Sequence, residues 1–459
     1  MNFPPGFLEQ LTGTAGFSKD AFAAAHTSGF SVTSVRLNPM KPLPVFPPSS
    51  LKISGESLSD LTISPIPWCD TGYYLSERPS FTFDPLFHAG TYYVQEASSM
   101  FLEQAMKQSV DLSAPLKVLD LCAAPGGKST HLQSLISKES VLVSNEVIRA
   151  RSFILRDNII KWGGDNVVVT NNDPKDFARL EHYFDVVVAD APCSGSGLFR
   201  KEPEAMEEWS ENNVQLCSQR QQRILADVLP ALKNGGILIY STCSYSKEED
   251  EEICHWLSAE HGMQPVQLSV PMEWGIIESG DGYRFWPDRV KGEGFFLACF
   301  QKTVGQEKNH GKTAKQLSQA GLQIRAAVKP WIATEGKQLL LHESTVYAWP
   351  EKWVEDFHLF LDKLRVVYSG VRVGELIREK LIPDHALAMS TCMANDVLST
   401  ALQLDQAIAY LQKKEFSLET GQKGWQLAVY DQLPLGWINV LPNRFNNYYP
   451  KELRILKEK

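Results

Sequence analysis

The middle of the chain alternates between short apolar runs and longer stretches in which apolar residues recur every three or four positions. Short apolar runs bounded by turn residues are typical of strands buried on both faces, and the longer periodic stretches are typical of helices. Strands that alternate with helices favour a parallel, right-handed α/β sheet. The pattern predicts strands over 117–121, 141–146, 167–170, 184–189, 237–240 and 295–300, and helices over 129–136, 148–162, 211–232 and 248–257.

The segments on either side of this pattern differ from it in composition. Residues 1–110 are rich in proline, serine and aromatic residues, with short alternating runs that favour a small α+β region. The stretch 305–321 is polar and rich in glutamine, lysine and glycine, as flexible linkers are. We therefore predict an α/β domain over 111–304 between the N-terminal region and the linker, and a C-terminal module of mixed short strands and helices over 322–459.

Two cysteines and an aspartate stand where predicted strands end. Asp190 and Cys193 close the run VVVADAPC, and Cys243 closes the run GILIYSTC. Ligands of an open α/β sheet bind beyond the carboxyl ends of its strands, so all three side chains are expected in one crevice. Two thiols beside a carboxylate indicate covalent catalysis. The alternative for any cysteine is burial as a small apolar residue, which we predict for Cys122, Cys217, Cys254, Cys299 and Cys392.

The turn after the first predicted strand, DLCAAPGGKS over 120–129, is a candidate nucleotide loop. Its glycines allow a ligand to approach the backbone closely, and the following helix begins beside it. One hypothesis is a phosphate-binding loop of an NTPase, since Gly127, Lys128 and Ser129 fit its end, although Cys122 stands where its first glycine belongs. The other hypothesis is a loop for S-adenosylmethionine, which carries no phosphate.

Two acids at the ends of the next strands bear on that choice. Glu146 closes the second strand and would accept hydrogen bonds from ribose hydroxyls, as the acidic residue of dinucleotide-binding folds does. Asp173 closes the third strand and would bind the adenine region. Either acid alone is typical of a helix cap. Together with the loop, the two acids at successive strand ends favour ligand binding over helix capping.

Composition and charge exclude several classes of protein. The 459 residues are 43% hydrophobic, yet no apolar run approaches the ~18 residues of a membrane helix, and the N-terminal sequence has no secretory pattern. Eight cysteines without a CxxC pair favour reduced thiols in a cytoplasmic protein over a disulfide scaffold or a metal site. The net charge is −9, and residues 111–304 carry 19 Lys and Arg against 28 Asp and Glu. RNA remains possible as a partner because a local basic groove suffices.

Three motifs together resemble the Nol1/Nop2/Sun family of RNA 5-methylcytosine methyltransferases. They are PGGK at 125–128, DAPCSGSG at 190–197 and STCS at 241–244, and the similarity extends over about residues 90–302. It implies a class I S-adenosylmethionine-dependent methyltransferase fold, which is Rossmann-like with a mostly parallel seven-stranded sheet. Within the family the chain most resembles the bacterial RsmF type, which methylates a cytosine of small-subunit rRNA and ends in a PUA-like module.

The resemblance also implies roles for individual residues. Cys243 would be the nucleophile that adds to carbon 6 of the cytosine, and Asp190 would hydrogen-bond or protonate N3. Cys193 would assist proton removal and release of the product. S-adenosylmethionine would be bound by Cys122, Ala123, Ala124, Pro125, Gly126, Gly127, Lys128, Glu146, Asp173 and Asp190.

The expected partner is RNA, and no membrane or metal is expected. The substrate would be 16S rRNA or the small ribosomal subunit, with tRNA as the alternative, bound by a monomer through its N-terminal region and its C-terminal module. Phe199, Arg200, Lys201 and Trp209 are candidates for base stacking and phosphate contact, and 283–287 fits either an RNA-facing segment or the core. An inactive RNA-binding scaffold is a third class of function beside the methyltransferase and the NTPase.

Overall fold

The N-terminal region forms a four-stranded antiparallel sheet with short helices. The computed structural model describes residues 3–29, 32–43, 45–47, 61–303, 317–378, 380–418 and 422–458. The strands pair in the order β2-β3-β1-β4. The elements of this region are α1 (Phe7–Gln10), α2 (Lys19–Thr27), β1 (Thr33–Leu37), β2 (Ile63–Ile66), β3 (Cys69–Leu75), α3 (Pro85–Ala89), β4 (Tyr92–Val94) and α4 (Leu102–Ser109).

The central region forms a large sheet whose middle strands are parallel and are joined by helices, as the sequence pattern predicts. Each parallel connection requires a crossover, which the intervening helices supply. Its elements are β5 (Lys117–Asp120), α5 (Gly127–Leu135), β6 (Val141–Asn145), α6 (Arg149–Trp162), β7 (Val167–Thr170), β8 (Phe184–Asp190), α7 (Ala205–Glu208), α8 (Glu211–Val228), β9 (Leu232–Thr242), α9 (Glu251–His261), β10 (Met263–Pro265), β11 (Ile277–Ser279), β12 (Gly282–Phe285) and β13 (Phe295–Lys302).

The parallel strands are mostly apolar because both of their faces are buried. Val118 and Leu142 pack in the core on one face, whereas Leu119 and Val143 pack in the core on the other. All four side chains are fully buried. Successive side chains of a strand point to opposite faces, so a strand between two helical layers needs apolar residues at every position.

The C-terminal part contributes two further sheets and one strand of the central sheet. The strands order as β14-β15-β16-β18-β19 in one sheet and β20-β21-β22-β23 in the other. Residues 304–316, which hold most of the predicted linker, lie outside the described residues. The elements are β14 (Ser318–Gln319), α10 (Leu322–Val328), β15 (Lys337–His342), β16 (Thr345–Pro350), α11 (Val354–Lys363), β17 (Val366–Ser369), β18 (Val371–Ile377), β19 (Lys380–Pro383), α12 (His385–Met389), β20 (Ser399–Ala401), α13 (Leu404–Gln412), β21 (Gly424–Tyr430), β22 (Leu433–Val440) and β23 (Phe445–Asn447).

The central sheet is larger than the seven strands predicted. Within the described residues it has ten strands, in the order β11-β12-β13-β9-β8-β5-β6-β7-β17 with β10 paired to β13. Five neighbouring strands, β9 to β7 in that order, are parallel. The added strands are antiparallel and sit at the two sides, and β17 comes from the C-terminal part. None of the helices in the described ranges is long and apolar enough to cross a membrane.

Candidate active site

The strand-end residues meet at the carboxyl edge of the central sheet. β8 and β9 are parallel neighbours, and Asp190 lies opposite Ser241 in their register. Ser241 Oγ donates a hydrogen bond to Asp190 Oδ1 at 2.8 Å. The sulfur atoms of Cys193 and Cys243 lie 3.0 Å apart. One crevice therefore holds a carboxylate and two thiols in contact.

A lysine from the glycine-rich turn reaches the carboxylate of this crevice. Lys128 Nζ lies 2.8 Å from Asp190 Oδ2. The lysine side chain is 11% exposed and the aspartate side chain is 36% exposed. The ammonium group also lies 5.1 Å from the ring centre of Phe295, within range of a cation–π contact. Lys128 thus holds one side of the Asp190 carboxylate while part of that carboxylate stays accessible.

A buried glutamate, Glu249, ties together the two loops that carry the cysteines. Its Oε1 accepts hydrogen bonds from Ser194 N at 2.8 Å and from Gln221 Nε2 at 3.1 Å. Its Oε2 accepts from Ser194 Oγ at 2.5 Å and from Ser244 Oγ at 2.6 Å. The two serines directly follow the two cysteines in the chain. One buried carboxylate therefore sets the position of one cysteine loop relative to the other.

The backbones of the two loops are also in direct contact. Gly197 N donates a hydrogen bond to the carbonyl oxygen of Cys243 at 2.8 Å. A Cβ atom at Gly197 would lie 2.7 Å from that oxygen and 2.4 Å from the carbonyl oxygen of Gly294. A side chain has no room here, so the close approach of the loops requires glycine.

The two thiols differ in their electrostatic surroundings. The hydrogen bond with Cys243, followed by burial, raises the pKa of the Cys193 thiol well above its ordinary value. Cys193 therefore keeps its proton at neutral pH, and either sulfur can be the donor in the contact between the two thiols. A thiolate is the nucleophilic form of cysteine, and a thiol in contact with it can act as a hydrogen-bond donor.

The predicted cofactor loop forms the turn between β5 and α5, and α6 holds it in place. Arg151 Nη2 donates to the carbonyl oxygen of Ala124 at 2.8 Å, and Asn158 Nδ2 donates to that of Pro125 at 2.9 Å. Gly126 adopts a φ of +118°, which side chains rarely tolerate. The turn is thus fixed before any ligand binds.

The two acids predicted for the cofactor occupy the expected strand ends and make local contacts there. Glu146 follows β6 directly and is 3% exposed. Its Oε1 accepts from Ile148 N at 2.8 Å, and its Oε2 lies 3.3 Å from Arg151 Nη1. Asp173 follows β7 and accepts from Lys175 N at 3.2 Å, so it caps the next turn of helix. The structure ties Glu146 to the cofactor loop through Arg151.

The charges around the loop suit a cation. The pKa of the Cys122 thiol is raised first by burial and then by the nearby carboxylates Asp120, Asp190 and Glu146. Asp120 is fully buried, and burial raises its pKa to about 7. Its Oδ1 has no hydrogen-bond partner among the described residues. Asp190 and Glu146 are paired with Lys128 and Arg151, and carboxylates beside the loop favour the sulfonium of S-adenosylmethionine over the phosphates of an NTPase substrate.

Three of the residues predicted to contact RNA are buried. Phe199 and Trp209 are 0% and 5% exposed, and each packs with a ring-centre distance of 5.1 Å on Phe7 of the N-terminal region. The Arg200 side chain is 8% exposed and forms an ion pair with Glu293 at 2.8 Å. The prediction is wrong for these three because an N-terminal helix covers this face of the domain.

The remaining sequence predictions near the site divide between surface and core. Lys201 is exposed, whereas Tyr283–Trp286 is buried, which settles 283–287 as mostly core. Burial is confirmed for four of the five cysteines predicted to be inert, and Cys122 is half-buried within the predicted cofactor loop.

The sequence analysis did not identify Glu249 or Asp120. The acidic run after Cys243 is the sequence feature that could have pointed to Glu249, but such a run is also typical of the solvated start of a helix.

Four family models match successive parts of the chain, and all four describe one kind of protein. Residues 109–301 match the family described as 16S rRNA methyltransferase RsmB/F. Residues 3–97 match the N-terminal domain of 16S rRNA methyltransferase RsmF. Residues 325–390 match the RsmF rRNA methyltransferase first C-terminal domain, and residues 397–455 match the methyltransferase RsmF PUA domain.

Individual relatives agree with these matches. Ribosomal RNA small subunit methyltransferase F of Cronobacter sakazakii is 30% identical, over 98% of this chain and 96% of that protein. The protein of the same name from Shewanella piezotolerans is 29% identical over 90% of this chain and 91% of its own length. The crystal structure of PH0851 is 27% identical and matches with a TM-score of 0.58 over 65% of this chain and 66% of that one. The chain therefore belongs to the RsmF family of ribosomal RNA small subunit methyltransferases.

Proposed function

We propose that this chain transfers a methyl group from S-adenosylmethionine to carbon 5 of a cytosine in 16S rRNA, through a covalent bond between Cys243 and carbon 6. The observation that carries the proposal is the contact of two thiols at 3.0 Å beside Asp190. S-adenosylmethionine supplies an electrophilic methyl group. Cysteine attack is needed because carbon 5 of cytosine is a poor nucleophile, and covalent catalysis splits one difficult step into easier ones.

In the proposed first step the Cys243 thiolate forms a bond to carbon 6, and the electrons of the double bond move toward the ring. In this proposal Asp190 carries a proton when the cytosine is bound and gives it to N3, which takes up the developing charge. The Lys128 ammonium, 2.8 Å from Asp190, stabilises the carboxylate that remains. Carbon 5 is now enamine-like, and its electron pair takes the methyl group while the donor leaves as a neutral thioether.

In the proposed second step Cys193 assists release of the product. Once Cys243 is bonded to carbon 6, Cys193 would give its proton to solvent and serve as the base for the next proton transfer. The Cys193 thiolate takes the proton from carbon 5, the double bond re-forms and the bond between Cys243 and carbon 6 breaks. N3 returns its proton to Asp190, which leaves both sulfurs in their starting states.

The same proposal assigns RNA binding to the flanking regions and a monomeric state to the enzyme. Support comes from the family matches, which divide the chain into a catalytic part, an N-terminal domain and two C-terminal domains. The target cytosine has to leave its stack, because carbon 6 is not accessible within a duplex. The reaction would take place in the cytoplasm, where free thiols stay reduced.

The test is to trap the covalent intermediate. Cys193→Ala should accumulate protein bound to RNA on a denaturing gel, and Cys193→Ala/Cys243→Ala should not. Sequencing of the attached RNA should identify a 16S rRNA cytosine, and attachment to tRNA alone would refute the substrate assignment. Absence of the adduct while the wild-type protein methylates rRNA would contradict the roles given to the two thiols. Absence of both adduct and methyl transfer would favour an inactive RNA-binding scaffold.

A further inference from the structure

The outer face of α6 exposes an aromatic ring between two guanidinium groups. Phe153 is 38% exposed and its neighbour Ile154 is 53% exposed. The ring centre of Phe153 lies 5.9 Å from Arg149 Cζ and 5.2 Å from Arg156 Cζ. The three positions fall on one side of the helix because they are spaced by four and three residues. We refer to Arg149, Phe153, Ile154 and Arg156 as the α6 outer face.

Exposed apolar residues are concentrated on this segment. Thirteen large apolar residues are exposed in the described ranges, and four of them lie between residues 147 and 154. The opposite side of α6 packs on the core through Ser152, Leu155, Ile159 and Trp162, so the helix does not need these outer residues for its own packing. A cluster of exposed apolar residues of this kind marks an interaction site.

The charge of α6 points to a polyanion as the partner. The helix carries four basic residues against one acid, Asp157, although the surrounding domain has 19 basic and 28 acidic residues. Arg151 pairs with Glu146 at 3.3 Å and Arg156 with Asp157 at 2.7 Å, so a phosphate at Arg156 would compete with Asp157. Aromatic rings interleaved with arginines are how proteins bind single-stranded nucleic acid, since bases stack on the rings and phosphates pair with the cations.

The position of the face links it to both the reaction site and the C-terminal part. At its start lies Glu146, which Arg151 ties to the cofactor loop. At its end Arg156 and Ile160 line a cavity of about 850 Å³ whose other walls include Tyr347 and Arg372. The face therefore runs continuously from the cofactor site to the C-terminal part of the chain. Val147 and Ile148 directly follow Glu146, and only Phe153 and Ile154 of the four exposed apolar residues belong to the α6 outer face.

We propose that the α6 outer face binds a single-stranded segment of the substrate RNA, with one base stacked on Phe153 and neighbouring phosphates paired with Arg149 and Arg156. This inference rests on the proposed function, since it takes RNA as the substrate. Stacking is independent of base identity, so the face would hold the RNA while specificity is set elsewhere.

The test measures the affinity of the full-length protein for a short fluorescein-labelled single-stranded RNA by fluorescence anisotropy at several salt concentrations. Phe153→Leu removes the ring and keeps an apolar side chain, and it should weaken binding by about 5- to 100-fold, whereas Phe153→Tyr should bind as the wild type does. Arg149→Gln/Arg156→Gln should lower the slope of log affinity against log salt by about 1.4, because each phosphate contact on a single strand contributes about 0.7.

Matched control variants distinguish RNA binding by the α6 outer face from a general effect of removing positive charge. Lys138→Gln/Lys233→Gln removes two cations at the amino-terminal edge of the sheet, one just before β6 and one at the start of β9, and should leave RNA affinity unchanged. Calorimetric affinity for S-adenosylmethionine and the melting temperature should also stay constant in every variant of the α6 outer face. A change in cofactor affinity alone would assign the face to the cofactor site and overturn the proposal.

The remaining outcomes distinguish this proposal from the function on which it rests. RNA affinity that is unchanged in both Phe153→Leu and the double arginine variant would overturn the proposal, while methyl transfer by the wild type would leave the proposed function standing. Unchanged affinity for the RNA together with weaker binding to small ribosomal subunits would show that the face contacts a protein. A wild-type protein that binds no RNA and transfers no methyl group would refute both proposals.

Discussion

Replacement of Glu249 by alanine removes the side chain that joins the two cysteine loops. Four hydrogen bonds to this carboxylate are lost, and the Ser194 amide and the Gln221 amide lose a buried acceptor. Hydrogen bonds to charged groups are each worth about 1.5–3 kcal/mol, and part of that gain is cancelled because burial opposes the charge, as the raised pKa of Glu249 shows. We expect the unfolding free energy to fall by about 3–5 kcal/mol in Glu249→Ala.

The catalytic effect should be separable from this loss of stability. The two sulfurs would no longer be held in contact, and a displacement of about 1 Å in a reacting group costs about 100-fold in rate. Glu249→Gln keeps a carbonyl oxygen for Ser194 N and an amide that can donate to the serine hydroxyls. It replaces charge-assisted bonds by neutral ones, so we expect a loss of about 1–2 kcal/mol and a rate within about tenfold of wild type.

The assay is single-turnover methyl transfer to 16S rRNA, together with the yield of covalent adduct in the Cys193→Ala background. Rates are compared at a temperature where every variant is folded, and the Michaelis constants for both substrates should stay within about twofold, since the lost contacts act on the chemical step. Glu103→Ala is the matched control, because Glu103 is a buried carboxylate with three partners and contacts neither cysteine loop. A folded Glu249→Ala protein with the wild-type rate would refute the reasoning.

Three further predictions address other parts of the site. Lys128→Met removes the cation beside Asp190 and should lower the single-turnover rate by about 10- to 100-fold with the protein still folded; an unchanged rate would show that the ion pair is not used. Phe7→Ala empties a fully buried aromatic position and should cost about 3–5 kcal/mol in urea unfolding, and a loss below about 1 kcal/mol would mean that the N-terminal helix does not brace the domain. Burial raises the Asp120 pKa to about 7, above its unfolded value of about 4, so the native state holds a proton that the unfolded state has lost. The unfolding free energy should therefore fall as pH rises from about 4 to about 7, and Asp120→Asn should flatten that part of the profile.

The main features of the site could be predicted from sequence because parallel strands align their carboxyl ends. Asp190 and Cys193 follow one apolar run and Cys243 follows another, and the pairing of β8 with β9 brings the ends of these runs together. Local sequence was enough here, since each residue lies within a few positions of its strand. The size of the sheet could not be predicted in the same way. β17 pairs with β7 from almost 200 residues away, and no local pattern records such a pairing.

Burial by distant segments accounts for the residues that sequence analysis misplaced or missed. Phe199 and Trp209 look like exposed aromatics of a loop, and they are buried because Phe7 packs against both. Glu249 lies in an acidic run that resembles a solvated helix start, yet it is 0% exposed because both cysteine loops close over it. In each case the decisive contact joins residues that are far apart in the chain, whereas the sequence pattern reports local structure.

The predicted cofactor site and the α6 outer face of the same domain differ in charge. Carboxylates beside the loop favour a cation, whereas the arginines of the α6 outer face favour an anion. Asp120, Glu146 and Asp190 lie near Cys122 of the loop, and under the proposed function the carboxylates there would stabilise the sulfonium of S-adenosylmethionine before transfer. The thioether left after transfer has a neutral sulfur, so the same carboxylates attract the product less strongly and its release is favoured. The RNA substrate would bring many negative charges toward this site. Lys128 pairs with Asp190 and Arg151 pairs with Glu146, so each cation offsets the charge of one carboxylate. A domain with excess acid can bind a polyanion through a local basic surface, and under our proposal Arg149 and Arg156 of α6 would provide that surface.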